Sequence, residues 1–300
     1  MIRRAVALVA ACVATAGCKG GASGSVVGFD GSRAIGTLAK QVAFGPRVPG
    51  TAAHDSCAAW LLGELRAVAD STWTQAFTGT MAGEPRTMRN LLAAQRPHAA
   101  SRVLLLAHWD SRPWADEDPD PARRRMPVAG ANDGASGVAV VLELARTLRA
   151  QAPAVGVDIA LVDGEDLGSD AAPQLFSQGA RALVSAPGFR RPDLVLLFDM
   201  VGDVSLSLER ETSSWQSAPR QMRDLWAVGR KMYPEVWLDQ QGSPMIDDHL
   251  PFIDAGIPAI DIIDFAYPFW HTTSDTPDKC SAASLEAVGR PVLAYIHTLK

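Results

Sequence analysis

The feature that most constrains this chain is a set of short aliphatic runs, each of which stops at a polar cluster. VLLLA stops at HWD, IALVD at GED, LVLL at FDM, and AIDIID at the loop that ends in WHTTSD. Runs of this length and composition, bounded by Asp, Gly and Pro, suit strands covered on both faces. The spacing predicts strands over 72–77, 89–93, 102–107, 157–162, 194–198 and 259–263. Helical periodicity marks 32–43 and 54–69, with FGPRVPGT as a Pro/Gly turn between them, and later 136–149, 217–232 and 281–298. Helices alternating with buried strands, without a repeat or an internal linker, give one α/β domain over residues 32–300. In open α/β sheets ligands sit beyond the carboxyl ends of the strands, so clusters scattered along the chain converge in space.

Three acids make the opening question concrete. In LVDGEDLG, residues 161–168, Asp163, Glu165 and Asp166 fall directly after a buried strand. Burying an unpaired carboxylate costs several kcal/mol, since even a neutral polar group without a partner costs about 2–7 kcal/mol. No Lys or Arg lies between Arg149 and Arg181, so the compensating charge comes from elsewhere in the fold or from a metal ion. His108, Asp133, Asp166, Asp199 and His271, one from each of five segments, are the candidate ligands, with Glu165 beside Asp166. Imidazole and carboxylate without thiolate suit Zn²⁺. Neighbours on an extended segment point to opposite sides, so one acid of the pair binds metal while the other faces substrate as general base or acid. Taken singly, His108 reads as a hydrogen-bonded structural residue, Asp133 as a turn or helix cap, and Asp199 as a strand-end cap. Trp109, Trp114 and His249 read as packing residues, and Ser111 and Ser136 lack a GxSxG nucleophile elbow.

Composition narrows the function classes. The chain has 300 residues, 47% hydrophobic and 20% charged, with a net charge of −5. Its one basic run, Arg123 to Arg125, lies in a Pro/Asp-rich loop, so nucleic acid is not an expected partner. The first residues read as an export signal: MIRR is a positive n-region, AVALVAACVATA an apolar h-region too short to span a bilayer, and AGC a cleavage-like site. Residues 1–18 resemble a bacterial lipoprotein signal with Thr15 in place of the usual Leu, and 19–31 a flexible linker. The expectation is an exported protein of the cell envelope, attached to a membrane only through a lipid on Cys18. Cys12 leaves with the signal, and Cys57 and Cys280 are expected to form a disulfide in an oxidising compartment, the alternative being two inert buried thiols. Neither Cys lies in a CxxC cluster, which disfavours zinc ligation by them.

HWDS, GANDGASG, GED, FDM and WHT, in that order, resemble the zinc-dependent M28 peptidase family, specifically its glutaminyl-peptide cyclotransferase branch. GPRVPGTAAH, DDHLPFIDAGIP and YPFWHT extend the resemblance from about Phe44 to the C-terminus. It implies a three-layer α/β/α sandwich around a mixed, mostly parallel sheet. It also implies one zinc held by Asp133, Asp166 and His271, Glu165 as the proton-transfer residue, Asp199 and Asp247 as assisting acids, and Trp270 lining the pocket. The implied reaction is cyclisation of an N-terminal glutamine on a peptide or protein, with release of ammonia. The alternative is an aminopeptidase, with a second zinc at His108 and Asp199. Two departures stand out: Asp166 replaces the more usual Glu, and GSDAAPQLFSQGAR lacks a second pocket Trp.

Overall fold

A computed structural model describes residues 28–300; the expected signal peptide and Cys18 lie outside the described residues. The chain opens with two helices, α1 (Gly31–Val42) and α2 (Ala52–Val68), each with a side-chain N-cap, Asp30 and Thr51. Strands β1 (Ser71–Met81) and β2 (Glu84–Gln95) form an antiparallel hairpin. Then come β3 (Arg102–His108), α3 (Ala135–Ala150), β4 (Gly156–Val162), α4 (Gln178–Val184) and β5 (Leu194–Asp199). The last part holds β6 (Leu208–Arg210), α5 (Thr212–Ser217), α6 (Pro219–Met232), β7 (Trp237–Gln241), α7 (Leu250–Asp254), β8 (Ala259–Ile263) and α8 (Ala282–Ile296).

Six strands build one sheet in the order β1-β2-β4-β3-β5-β8. The β4, β3, β5 and β8 neighbours run parallel, and β1 and β2 run antiparallel, which makes the sheet mixed. Strands β3, β5 and β8 are buried at every position, as continuous aliphatic runs require when both faces are covered. One face carries α1, α2, α3 and α8 over the larger core, and the other carries α4 and α7 over a smaller one. The expected α/β/α sandwich is therefore the fold that forms. Helix α3 sits closest to the sheet: a Cβ on Gly137 would lie 2.0 Å from the Phe198 carbonyl oxygen, so only glycine allows that approach.

The differences from the sequence reading are local. The β1/β2 hairpin is about twice as long as expected, because it continues as a ribbon whose β2 side, Glu84 to Thr87, is exposed and polar. Its turn, Ala82-Gly83, has φ of 53° and 80°, the left-handed pair that matches hairpin twist. Pro219 starts α6 afresh, so the helix expected from Ser217 is preceded by a separate short one. The small parallel pair β6/β7 was not foreseen, since three- and five-residue strands carry too little pattern.

The expected Cys57–Cys280 disulfide is corrected. Both are buried free thiols. Cys57 is fully enclosed on the inner face of α2, and Cys280 pairs with Asp203 in an isolated bridge, its Sγ against Gly202. Each thiol is committed to its own packing, and burial pushes both above the usual range, Cys57 to about 11.

Candidate metal centre and active site

Every expected polar cluster lies at the carboxyl edge of the sheet. His108 ends β3, Asp133 sits in the turn before α3, Glu165 and Asp166 follow β4, Asp199 ends β5, and His271 lies in the loop after β8. His271 Nε2 lies 3.1 Å from Asp166 Oδ1 and 3.7 Å from Asp133 Oδ2. On the other side of Asp133, its Oδ1 lies 3.1 Å from His108 Nε2, which is 3.2 Å from Asp199 Oδ1. Two groups with metal-ligand spacing thus share Asp133: Asp133/Asp166/His271 and His108/Asp133/Asp199. All of these side chains are buried.

The local backbone explains why the clusters meet. Gly134 has φ of 90°, and a Cβ there would lie 2.7 Å from the Asp110 carbonyl oxygen, so the GANDGASG turn can fold tightly under His108 only with glycine. His271 and Met200 hold left-handed backbone at φ 55° and 47°, which costs about 1–3 kcal/mol each and occurs where the surroundings enforce it. Two acids not singled out from the sequence clamp the turns that carry the ligands. The Asp110 carboxylate accepts the backbone N–H of Glu165 (3.2 Å) and of Asp166 (3.3 Å). Asp275 accepts the N–H of Asn132 (2.8 Å) and Asp133 (3.2 Å) and the Tyr267 hydroxyl (2.8 Å). Both lie inside motifs already noted, HWDS and HTTSD, but nothing in a one-dimensional pattern separates a backbone clamp from a ligand.

The three acids of LVDGEDLG have three separate answers. Asp163 is held by His54 Nε2, 3.0 Å from both oxygens, and by the Arg89 N–H at 2.8 Å. Asp166 Oδ1 is 3.0 Å from Arg112 Nη1, while its Oδ2 is buried without a protein partner. The missing cation is therefore Arg112, 54 residues away in sequence. Glu165 faces the cleft. Burial raises its carboxyl well above the ordinary range, and the field of Asp247 adds to that. Asp247 is likewise raised by burial and by Asp199 and Asp248. Burial and the charge of Asp166 push Asp133 up to about 7. At Asp166 burial is outweighed by His271 and Arg112, and the group is held down to about 2. His108 moves up despite its burial, because Asp110, Asp133 and Asp199 surround it.

These groups open into a cleft of about 250 Å³ lined by Asp133, Glu165, Asp199, Asp247, Trp270 and His271. Trp270 stacks on His271 at 3.6 Å between ring centroids, and Phe265 meets Trp270 edge-on at 5.1 Å. No second Trp enters; Phe176, in an isolated bridge with Asp166, occupies the wall with Met245 and Ile246. A larger cavity, about 450 Å³, lies on the far face of the sheet beside Trp73 and Phe189, away from these clusters. Trp109 and His249 are interior: Trp109 stacks on His54 at 4.2 Å, and His249 lies between Glu211 (3.3 Å) and Asp261 (3.6 Å). Ser111 and Ser136 serve backbone hydrogen bonds.

Residues 90–296, which carry all of these clusters, match the profile of Peptidase family M28. The chain belongs to family M28. Among relatives, this M28 protein is 26% identical over 247 residues to a glutaminyl-peptide cyclotransferase-like protein of Mus musculus, covering 73% of the chain and 63% of the mouse protein. It therefore spans a little under two thirds of that relative's length. The crystal structure of Tannerella forsythia glutaminyl cyclase superposes with a TM-score of 0.88 at 37% identity, covering 91% of this chain and 100% of that one. A Zn-dependent exopeptidase from Parabacteroides distasonis also gives 0.88, at 34% identity and with 92% and 100% covered.

Proposed function

We propose that this M28 protein is a zinc-dependent glutaminyl-peptide cyclotransferase that converts an N-terminal glutamine to pyroglutamate. The donor set fits zinc: two carboxylates and an imidazole within reach of one another, with Asp166 Oδ2 buried and unpartnered. Asp133, Asp166 and His271 would hold the ion. When bound, zinc polarises the substrate's γ-carboxamide carbonyl. Glu165 takes a proton from the substrate's α-amine as that nitrogen bonds to the γ-carbonyl carbon. It then returns the proton to the departing amide nitrogen, so that the carbon–nitrogen bond breaks and ammonia leaves. Asp247, held toward its protonated form, donates a hydrogen bond to the tetrahedral species, Asp199 accepts one from it, and Trp270 closes the apolar wall.

The observation that carries this reading is the pair Glu165 and Asp247 in one cleft. Both are buried, and the field of Asp247 is the main electrostatic cause that holds Glu165 up. A carboxyl raised toward neutrality is matched to taking and returning one proton within a turnover. The shared Asp133 favours a second reading, an aminopeptidase with a further zinc at His108 and Asp199 and with Glu165 acting on water. Incubating the protein with a Gln-initiated and a Leu-initiated peptide separates the two. Ammonia from the first with no amino acid from the second supports the cyclase; free leucine supports the peptidase.

The sequence before Gly28 supports export and acylation of Cys18. Labelling cells with a fatty-acid analogue, with Cys18→Ser as the control, tests it; label on the Cys18→Ser protein would exclude that anchor.

A further inference from the structure

Arg112 is 1% exposed and takes no part of its own in the reaction above. Its Nη1 donates to Asp166 Oδ1 (3.0 Å) and to the Asp166 carbonyl oxygen (3.3 Å), and its Nη2 to the Gly168 carbonyl oxygen (3.1 Å). The same guanidinium grips both oxygens of Asp116 with one edge, Nε at 2.7 Å and Nη2 at 2.6 Å. Asp116 Oδ1 lies 3.7 Å from His271 Nδ1, the ring nitrogen that faces away from the cluster. The residues that follow tie down the His271 loop: the Glu117 N–H donates to the His271 carbonyl oxygen (3.2 Å), and Asp118 accepts the Thr273 N–H (3.0 Å) and hydroxyl (2.6 Å).

We infer that Arg112 is a positioning residue for the metal centre: it fixes the direction of the Asp166 carboxylate by engaging Oδ1, the oxygen 3.1 Å from His271 Nε2, and holds the Asp116 carboxylate behind the His271 ring. A free carboxylate offers two oxygens, and a metal ion can take one or both. With Oδ1 held by a buried planar donor and Oδ2 without a protein partner, the Asp166 carboxylate has one fixed direction toward the cluster. The fork on Asp116 fixes a carboxylate 3.7 Å behind the His271 ring, where its charge favours one ring orientation. Lys would not replace it, since one ammonium cannot hold Asp116 at both oxygens while donating to Asp166 and the Gly168 carbonyl.

The inference rests on Asp133, Asp166 and His271 holding zinc, and applies to a cyclase or a peptidase alike. The test compares wild type with Arg112→Gln and Arg112→Lys, each checked for fold by circular dichroism. Zinc affinity is measured by chelator competition, and the visible spectrum is recorded after substitution with Co²⁺. Arg112→Gln is expected to weaken zinc by about 10- to 100-fold, as loss of an outer-shell partner does. Its cobalt band should change in position or intensity as the Asp166 carboxylate loses its fixed direction. Should Arg112→Gln not fold, Arg112→Lys is expected to show the same two changes. A folded variant with the wild-type zinc affinity and cobalt spectrum overturns the inference. Wild type without zinc would overturn the metal centre itself, a separate and distinguishable outcome.

Discussion

Replacing Glu165 by Gln keeps the shape of the side chain and leaves untouched the Asp110 carboxylate that clamps the Glu165 and Asp166 N–H groups. Asp133, Asp166 and His271 also stay as they are, so zinc content should not change. What disappears is proton transfer. Loss of a general acid or base lowers turnover by about 10² to 10⁴, which is about 3–5 kcal/mol in the barrier. Stability should move the other way in zinc-free protein. Burial and Asp247 raise the Glu165 carboxyl above its unfolded value, so the ionised form is disfavoured in the fold. Wild type is then relieved as pH falls toward the unfolded value of about 4.3, whereas the Gln variant carries no such charge at any pH. The variant should therefore melt no lower than wild type at neutral pH, and its advantage should shrink as the solution is acidified. Steady-state kinetics on a Gln-initiated peptide, metal analysis and melting curves at several pH values measure all three quantities. Near-normal turnover, or a variant much less stable than wild type at neutral pH, would refute the reasoning.

Asp166→Asn should lose zinc, and with it activity, while Glu165→Gln retains both zinc and fold; metal analysis of the two purified variants decides it, and equal zinc in both would contradict the division of roles. Gly137→Ala should destabilise the fold by about 1–3 kcal/mol or more, because the new Cβ would meet the Phe198 carbonyl oxygen at 2.0 Å; an unchanged melting temperature would show that α3 can retreat from β5 at little cost. At Glu211 burial is outweighed by His249 and by the N–H groups of Ser214 and Ser213, and the carboxyl is held down to about 2. Its contribution is present above its unfolded value and lost as pH falls toward 2, so the destabilisation caused by Glu211→Gln should fade over that range in acid melts.

The positions of the clusters were legible because strands buried on both faces are mostly aliphatic, so the polar stretch after each run marks the sheet's edge. That rule places His108 and Asp199 at the strand ends and Asp166 and His271 in the loops that follow β4 and β8, without any knowledge of their partners. What it cannot supply is the path of the loops. Arg112, Asp110 and Asp275 matter through contacts 54, 55 and 143 residues away, and in sequence they read as ordinary members of polar loops. The missing pocket Trp has a similar cause: Phe176 reaches the wall through its bridge to Asp166, a pairing with no strand pattern on either side. The disulfide was misread because counting exported cysteines says nothing of packing, and Cys57 and Cys280 face different neighbours. The length of the β1/β2 hairpin was hidden because its outer half is held to α4 through polar contacts, Thr80 with Gln178, and is exposed over Glu84 to Thr87, and so shows no apolar alternation.

The most direct test of the central claim is to follow the Gln-initiated peptide in water enriched in heavy oxygen, with mass spectrometry of the products. Attack by the substrate's own amine uses no water. The account predicts a pyroglutamyl peptide that carries no solvent oxygen, ammonia formed in equal amount, and neither product from the Glu165→Gln protein on the same timescale. Free glutamine with solvent oxygen in its new carboxylate, or in the shortened peptide's partner, would contradict it and make the same Glu165 the activator of a hydrolytic water.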